Sequence, residues 1–277
     1  LKNKVTSLDQ IRGAMIFEFF SPGMPIILKN SGCEFIIFDM EHGGLSFEQF
    51  KTLSLISKAH QIASFIRIPE VSYNYVARAL DLGAYGIMTP MVNTPDDVLK
   101  IVSSSKYPPQ GKRGAGFGFA HDNYINQNPL TYIEKANNTL VNIIQIETKK
   151  ALENVNDIAS IEGVDCLWVG HFDLTNFLGI PGDFSSKIYL DAIDEIIMAA
   201  KRNNKSLGIM VNNKKDLNTY SKLGFNMIAV GTEMSILSKS VSNDAAVKDA
   251  PVEYADSLDK GLLARMVSFC PEVGAEE

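Results

Sequence analysis

Apolar positions along the chain fall into short runs rich in β-branched and aromatic residues. Longer segments separate these runs, and their apolar positions recur at helical spacing. Eight runs read as strands: Gly13–Phe19, Glu34–Asp39, Ala63–Ile68, Gly86–Pro90, Val141–Glu147, Cys166–Val169, Ser206–Val211 and Met227–Gly231. Between them lie amphipathic stretches such as PEVSYNYVARALDLG, ending near Gly83, and ETKKALENVNDIASIEG, ending at Gly163. Glycine in that place suits the left-handed residue that terminates a helix. Alternating strands and helices predict a parallel sheet, and eight strands is the number that closes a barrel. The expected fold is α/β, a single-domain (β/α)8 TIM barrel over residues 1–250. Residues 251–277 read differently and are expected to form a C-terminal tail or helix. One connection breaks the rhythm: residues 107–129, YPPQGKRGAGFGFAHDNYINQNP, are dense in Gly, Pro and Asn. A connection that long in a compact domain is more often functional than idle.

Composition narrows the class without changing the fold. The 277 residues are 45% apolar and 21% charged, the balance of a globular chain with a large core. Net charge is −6, and Lys149–Lys150, Lys201–Arg202 and Lys214–Lys215 are short, scattered basic pairs, so no nucleic-acid partner is expected. No apolar run approaches the ~20 residues that span a bilayer, so no membrane partner is expected either. The amino end lacks the pattern of a secretory signal. Cys33, Cys166 and Cys270 are widely spaced and include no CxxC; the first two sit in or beside apolar runs, as buried free thiols do. The expected setting is reducing and cytoplasmic.

Barrel enzymes keep their chemistry at the carboxyl ends of the strands. There, strand two runs into FDMEHGG, with Asp39, Glu41 and His42; strand three ends at Arg67 in IRIP; strand five ends in QIET, with Gln145 and Glu147; and strand six runs into WVGHFDL, with Asp173. Strands seven and eight end in VNN and VGTE, which are poorer in titratable groups. Glu147 and Asp173 stand one βα repeat apart and should face one pocket. Two carboxylates there suit a hard divalent cation, Mg²⁺ or Mn²⁺, with positions left open for water or substrate. The plain alternative is solvated rim charges, with Asp173 capping the next helix. Gln145 shares its side of the strand with Glu147. His42 can move a proton near neutral pH, or be a turn residue. Arg67 can hold an oxyanion or carboxylate, or salt-bridge to a neighbouring acid. His171 reads as loop packing and His121 as an exposed loop residue. With no HExxH, a zinc hydrolase is unsupported, and GAGFGFA fits neither nucleotide fingerprint.

On FIIFDMEHG, IRIPEVSYNYVARALDLGAYGIMTPMV, YPPQGKRGAG, IIQIET and GVDCLWVGHFDLTNFLGIPG, about Phe35 to Gly182, the chain resembles the HpcH/HpaI family of metal-dependent 2-oxo-acid aldolases, in the phosphoenolpyruvate/pyruvate barrel superfamily. The resemblance implies Glu147 and Asp173 as ligands of Mg²⁺, Mn²⁺ or Co²⁺, His42 as acid/base, and Arg67 on the enolate oxygen. It implies Gln145 in the substrate pocket and Asp81 reaching the site of a neighbouring subunit in a homo-oligomer, a hexamer or trimer. The loop at Gly170 and Phe172 would hold the substrate carboxylate through backbone N–H groups. His171 stands where the family more often has Pro or Ser, and Phe172 where it has a small residue, so both bear on substrate preference. The implied reaction is class II aldol cleavage or condensation of a 4-hydroxy-2-oxo acid, giving pyruvate or a close 2-oxo acid and an aldehyde through a metal-bound enolate. Rival readings are the same enolate with another electrophile (citrate-synthase-like or macrophomate-synthase-like) and a catalytically silent 2-oxo-acid-binding protein. A Schiff-base aldolase needs a lysine inside the barrel, and the strand cores contain none.

Overall fold

All eight predicted strands form: β1 (Ile11–Ile16), β2 (Phe35–Asp39), β3 (Ala63–Arg67), β4 (Gly86–Thr89), β5 (Val141–Ile146), β6 (Cys166–Val169), β7 (Ser206–Val211) and β8 (Met227–Thr232). They pair in chain order, all parallel, and β8 returns to β1, closing the barrel. The computed structural model describes residues 1–125 and 127–243. Helices α1 (Lys2–Thr6), α2 (Met24–Asn30), α3 (Phe47–Ala59), α4 (Tyr73–Asp81), α5 (Pro95–Ser105) and α6 (Pro129–Thr139) occupy the first half. The second half carries α7 (Lys149–Glu153), α8 (Val155–Ser160), α9 (His171–Phe177), α10 (Lys187–Arg202), α11 (Lys214–Leu223) and α12 (Glu233–Asn243). Among the described residues no helix is long and apolar enough to cross a membrane.

The chain divides into two compact units. The first, Leu1–Met234, contains the whole barrel; the second begins at Ser235, and its described part is the rest of α12. The expected domain end at 250 and the tail over 251–277, with Cys270, lie outside the described residues. Cys33 and Cys166 are both free; Cys166 is buried as expected, whereas Cys33 is only half-buried.

Local signals set the helix ends. Ser46 and Gln49 form a reciprocal capping box on α3, Thr94 and Asp97 do the same on α5, and the Ser72 hydroxyl caps α4. Gly83, just past the end of α4, adopts a φ of +100°, the left-handed conformation that its helix-terminating position predicts. Gly163 is also left-handed at +97°, but α8 stops at Ser160 with Ile161 extended, so this glycine serves the turn into β6 rather than the helix end.

Strand alternation sorts the core into two layers. Phe35, Ile37, Phe65, Val141, Ile143, Cys166 and Trp168 fill the barrel. The intervening Ile36, Phe38, Ile144 and Leu167 pack outward against the helices. A Cβ on Gly208 would lie 2.2 Å from the Trp168 ring, so the glycine on β7 makes room for the largest interior side chain. At the amino end α1 plugs the barrel: Val5 joins the interior cluster, and the Ser206 hydroxyl donates to its carbonyl at 2.8 Å.

Two expectations about the connections change. β1 ends at Ile16 rather than Phe19, because the next three N–H groups are taken by the Glu233 carboxylate instead of by a neighbouring strand. The long 107–129 connection joins α5 to α6 at the amino end of the barrel. There Arg113 and His121 border a cavity with Ala63, Tyr85 and Leu140, away from the strand carboxyl ends. His121 is half-buried rather than exposed, its Nδ1 3.2 Å from the Asp81 carbonyl and its ring edge-on to Tyr132.

Candidate active site at the carboxyl end of the barrel

The inward alternation that fills the barrel with apolar side chains continues upward into polar ones. After Ile37 comes Asp39, after Phe65 comes Arg67, after Ile143 come Gln145 and Glu147, and after Trp168 comes Gly170. Asp39, Arg67, Gln145 and Glu147 are all buried. They lie beneath a pocket of about 180 Å³ whose walls include His42, Arg67, Gln145, Trp168, Phe172 and Asp173. A larger cavity of about 510 Å³, beside Lys4, Lys29 and Glu34, lies at the amino end of the barrel, away from these groups.

Arg67 is fixed from three sides. Its Nε donates to Asp39 in a short hydrogen bond, its Nη1 pairs with Glu41 at 3.1 Å, and the Phe17 ring lies 5.3 Å from Cζ. Nη2 is buried and has no hydrogen-bond partner among the described residues. The plain reading of Arg67, an ion pair to neighbouring acids, is thus realised on Nε and Nη1, and Nη2 is left over. Asp39 also accepts the N–H groups of Glu41, His42 and Gly43, at 3.3, 2.8 and 2.9 Å, and so shapes the turn that presents His42. The His42 side chain is 59% exposed, with Nε2 3.8 Å from Glu41.

Glu147 accepts the Met91 N–H at 2.6 Å and the Gln145 side-chain amide in a short hydrogen bond. Burial pushes its carboxyl up to about 7 against those hydrogen bonds, with Glu41 and Asp173 adding repulsion. Burial also raises Glu41 to about 7; Arg67 opposes this, while Asp39 and Asp173 add to it. Asp173 sits in the first turn of α9. Sequence reasoning reached Glu147 and Asp173 and left Glu41 without a role, although EH follows directly on Asp39–Met40. It also missed Phe17, Trp168 and Glu233, none of which belongs to a titratable motif.

Among the described residues no group of three or more His, Cys, Asp or Glu side chains is gathered as a metal cage. The oxygen donors on offer are the carboxylates of Glu147 and Asp173, with the raised Glu41 acting electrostatically on Glu147. Crowded, desolvated carboxylates are relieved by a divalent ion that keeps open positions, so the set fits Mg²⁺ or Mn²⁺ and not a closed zinc site.

Gly170 contributes space rather than a donor. Its N–H is already given to the Ile146 carbonyl at 3.2 Å, so the expected contact of this N–H with a substrate carboxylate is not available. A Cβ there would lie 2.4 Å from Glu147 Oε2 and 2.8 Å from Gln145 Nε2. Gly170→Ala is expected to displace the Glu147 carboxylate and cost about a hundredfold in turnover, the usual penalty for an ångström-scale misplacement. A divalent-metal titration that leaves its affinity unchanged would contradict this.

His171, Phe172 and Phe184 form a ring cluster beside Asp173, with centroids 4.6, 5.4 and 5.2 Å apart. Burial depresses the His171 imidazole to about 4, so it packs neutral, as expected of a loop-packing residue. The unfolded chain binds this proton near the ordinary 6.5, so stability is present above that pH and is lost as pH falls toward 4. Melts of His171→Gln from pH 7 to 4.5 are expected to fall less steeply than those of the wild type. A parallel fall would show that His171 does not drive acid loss.

Asp81 is not brought to this pocket. It ends α4 at the far end of the barrel and pairs with Arg113 at 2.5 Å.

Residues 15–240 match the HpcH/HpaI aldolase/citrate lyase family. The chain is 29% identical to the hydroxypyruvate/pyruvate aldolase of Deinococcus radiodurans over 236 residues, 85% of each chain. Its fold superposes on an HpcH/HpaI aldolase from Desulfitobacterium hafniense with a TM-score of 0.86 and 26% identity, covering 91% of this chain and 97% of the other. It superposes on the citrate synthase SbnG with a TM-score of 0.78 and 26% identity, covering 94% and 98%. The chain belongs to the HpcH/HpaI aldolase/citrate lyase family and is an enzyme of the carbon–carbon lyase class.

Proposed function

We propose that the chain cleaves, and in reverse forms, the C3–C4 bond of a 4-hydroxy-2-oxo acid, giving pyruvate or a close 2-oxo acid and an aldehyde. The observation that carries this reading is Arg67: two acids and a ring hold it, while one buried donor, Nη2, stays without a partner on a side chain that lines the same pocket as Asp173. Glu147 and Asp173 would hold Mg²⁺, Mn²⁺ or Co²⁺, which when bound polarises the substrate's keto oxygen as a Lewis acid.

Arg67 Nη2 donates to that oxygen as negative charge develops there, a preorganised interaction stronger in the transition state than in the ground state. His42, at the open rim, takes the proton of the 4-hydroxyl in cleavage and returns it in condensation. Gln145 orients Glu147. The first-turn N–H groups of Phe172 and Asp173 lie outside the α9 ladder, which begins with Leu174 donating to Gly170, and they are offered to the substrate carboxylate. None of the eight strands carries a lysine, which weighs against a Schiff-base route. The proposal includes a cytoplasmic homo-oligomer, a hexamer or trimer, in which Asp81 serves a neighbouring subunit's site. Likeness to a citrate synthase favours one second reading, the same carbanion chemistry with a different electrophile.

The test is pyruvate release from a 4-hydroxy-2-oxo acid by metal-stripped protein, with Mg²⁺, Mn²⁺ or Co²⁺ added back. Release only with metal is expected. No release with any metal, from protein that still binds pyruvate, would overturn the aldolase reading in favour of another electrophile or a silent binder.

A further inference from the structure

Glu233 opens α12 directly after β8 and is nine-tenths buried. One of its oxygens, Oε1, accepts three consecutive N–H groups, those of Phe17 at 2.9 Å, Glu18 at 2.5 Å and Phe19 at 3.0 Å. Its other oxygen, Oε2, is buried with no hydrogen-bond partner among the described residues, so the hydrogen bonds of this carboxylate serve one segment. That segment is the exit from β1, at the seam where β8 closes the barrel and the ladder register shifts between Gly13 and Met15. Three N–H groups converging on one anionic oxygen orient three successive peptide planes and so define the path on which Phe17 stands.

Phe17 is the third support of Arg67. Asp39 accepts from Nε, Glu41 forms an ion pair with Nη1 at 3.1 Å, and the Phe17 ring, 5.3 Å from Cζ, stands against the guanidinium. One hydrogen bond and one ion pair leave the guanidinium free to tilt, and a ring against it limits that tilt. Glu233 itself is not part of the pocket wall, whereas Phe17 and Arg67 both are.

We infer that Glu233 is a positioning residue for Arg67: by gathering the three N–H groups of the β1 exit it sets the Phe17 ring against the guanidinium and so fixes the orientation of the group that carries the unpartnered Nη2. What Nη2 then does rests on the reaction proposed above; the coupling of Glu233 to Arg67 does not. Gln at 233 keeps one carbonyl oxygen for the three donors but loses the charge, so it should support the segment in part. Ala removes the acceptor entirely.

The test has two arms. In the first, the Arg67 Nε–H resonance of ¹⁵N-labelled protein is assigned by its loss in Arg67→Lys. It is then followed in Phe17→Leu, Glu233→Gln and Glu233→Ala. The line is expected to move in one direction in all three as the ring leaves the guanidinium, least in Glu233→Gln. In the second, deuterium exchange at C3 of pyruvate is measured with added Mn²⁺ or Mg²⁺. Glu233→Ala is expected to slow the exchange about tenfold to a hundredfold with metal affinity unchanged, and to add almost nothing in the Arg67→Lys background. An Arg67 line unmoved in Glu233→Gln and Phe17→Leu, or a full further loss in the double variant, overturns the coupling and leaves Glu233 as a tie of the barrel seam. Wild-type protein that exchanges no deuterium with any metal overturns the proposed reaction instead, and the resonance then decides the coupling by itself.

Discussion

Glu147→Gln is expected to abolish metal-dependent pyruvate release, by about a thousandfold or more, while the protein stays folded. The loss follows from the several kcal/mol that a bound cation contributes to charge stabilisation in such reactions, at about 1.4 kcal/mol per tenfold in rate. Folding survives because the amide is isosteric and the carboxylate it replaces is already disfavoured by burial. The two groups near 7, Glu147 and Glu41, also set a pH signature. In the unfolded chain both would lose their protons near the ordinary 4.5. Their contribution to stability is therefore present below about 4.5 and is lost as pH rises through about 7. Metal-free protein should melt progressively lower over that window, and a divalent ion should restore it most at the alkaline end. In Glu147→Gln the slope should flatten and the metal response vanish. A variant that keeps its metal-induced rise in Tm would show that the ion does not sit on Glu147.

Arg67→Lys is expected to cost about a hundredfold to a thousandfold in turnover, the usual effect of losing one oxyanion donor. Lysine keeps the charge but is a single point donor. It cannot hold Asp39 and Glu41 while leaving a third, separately directed N–H for substrate, as the planar guanidinium does. Arg67→Ala should be worse in a second way. It strands Asp39, fully buried, and Glu41 without their counter-ion, and breaking such a buried pair destabilises by about 3–5 kcal/mol. Steady-state kinetics and thermal melts separate the two variants: Lys lowers kcat with a modest change in Tm, Ala lowers both. Lysine at this position turning over at the wild-type rate would remove Arg67 from the chemistry.

The fold lay close to the surface of the sequence. The cores of β6 and β7 run over the predicted residues, and Gly83 follows the end of α4 in the left-handed conformation. These features depend on neighbours a few positions away, and the chain pattern records them. The position of Glu147 and Asp173 at one mouth was legible for a related reason: the barrel rule converts a place at a strand's carboxyl end into a place at the mouth.

Other features depended on contacts between distant segments. The alternation of β1 continues past Ile16 as if the strand did, and only the Glu233 carboxylate, arriving from the other end of the barrel sequence, diverts those N–H groups. Gly170 reads as a loop residue offering an N–H, yet in the folded chain that N–H is spent on Ile146 and the missing side chain is what matters, because Glu147 fills the space. Glu41 could not be told from a solvated turn acid until burial and Arg67 were both in place. Hydrophobic period and turn chemistry are local properties, carried by residues in order along the chain. Spare donors, raised carboxyls and shared acceptors arise only when β1, β3, β5 and β8 close around one volume, because desolvation and hydrogen-bond competition act through space.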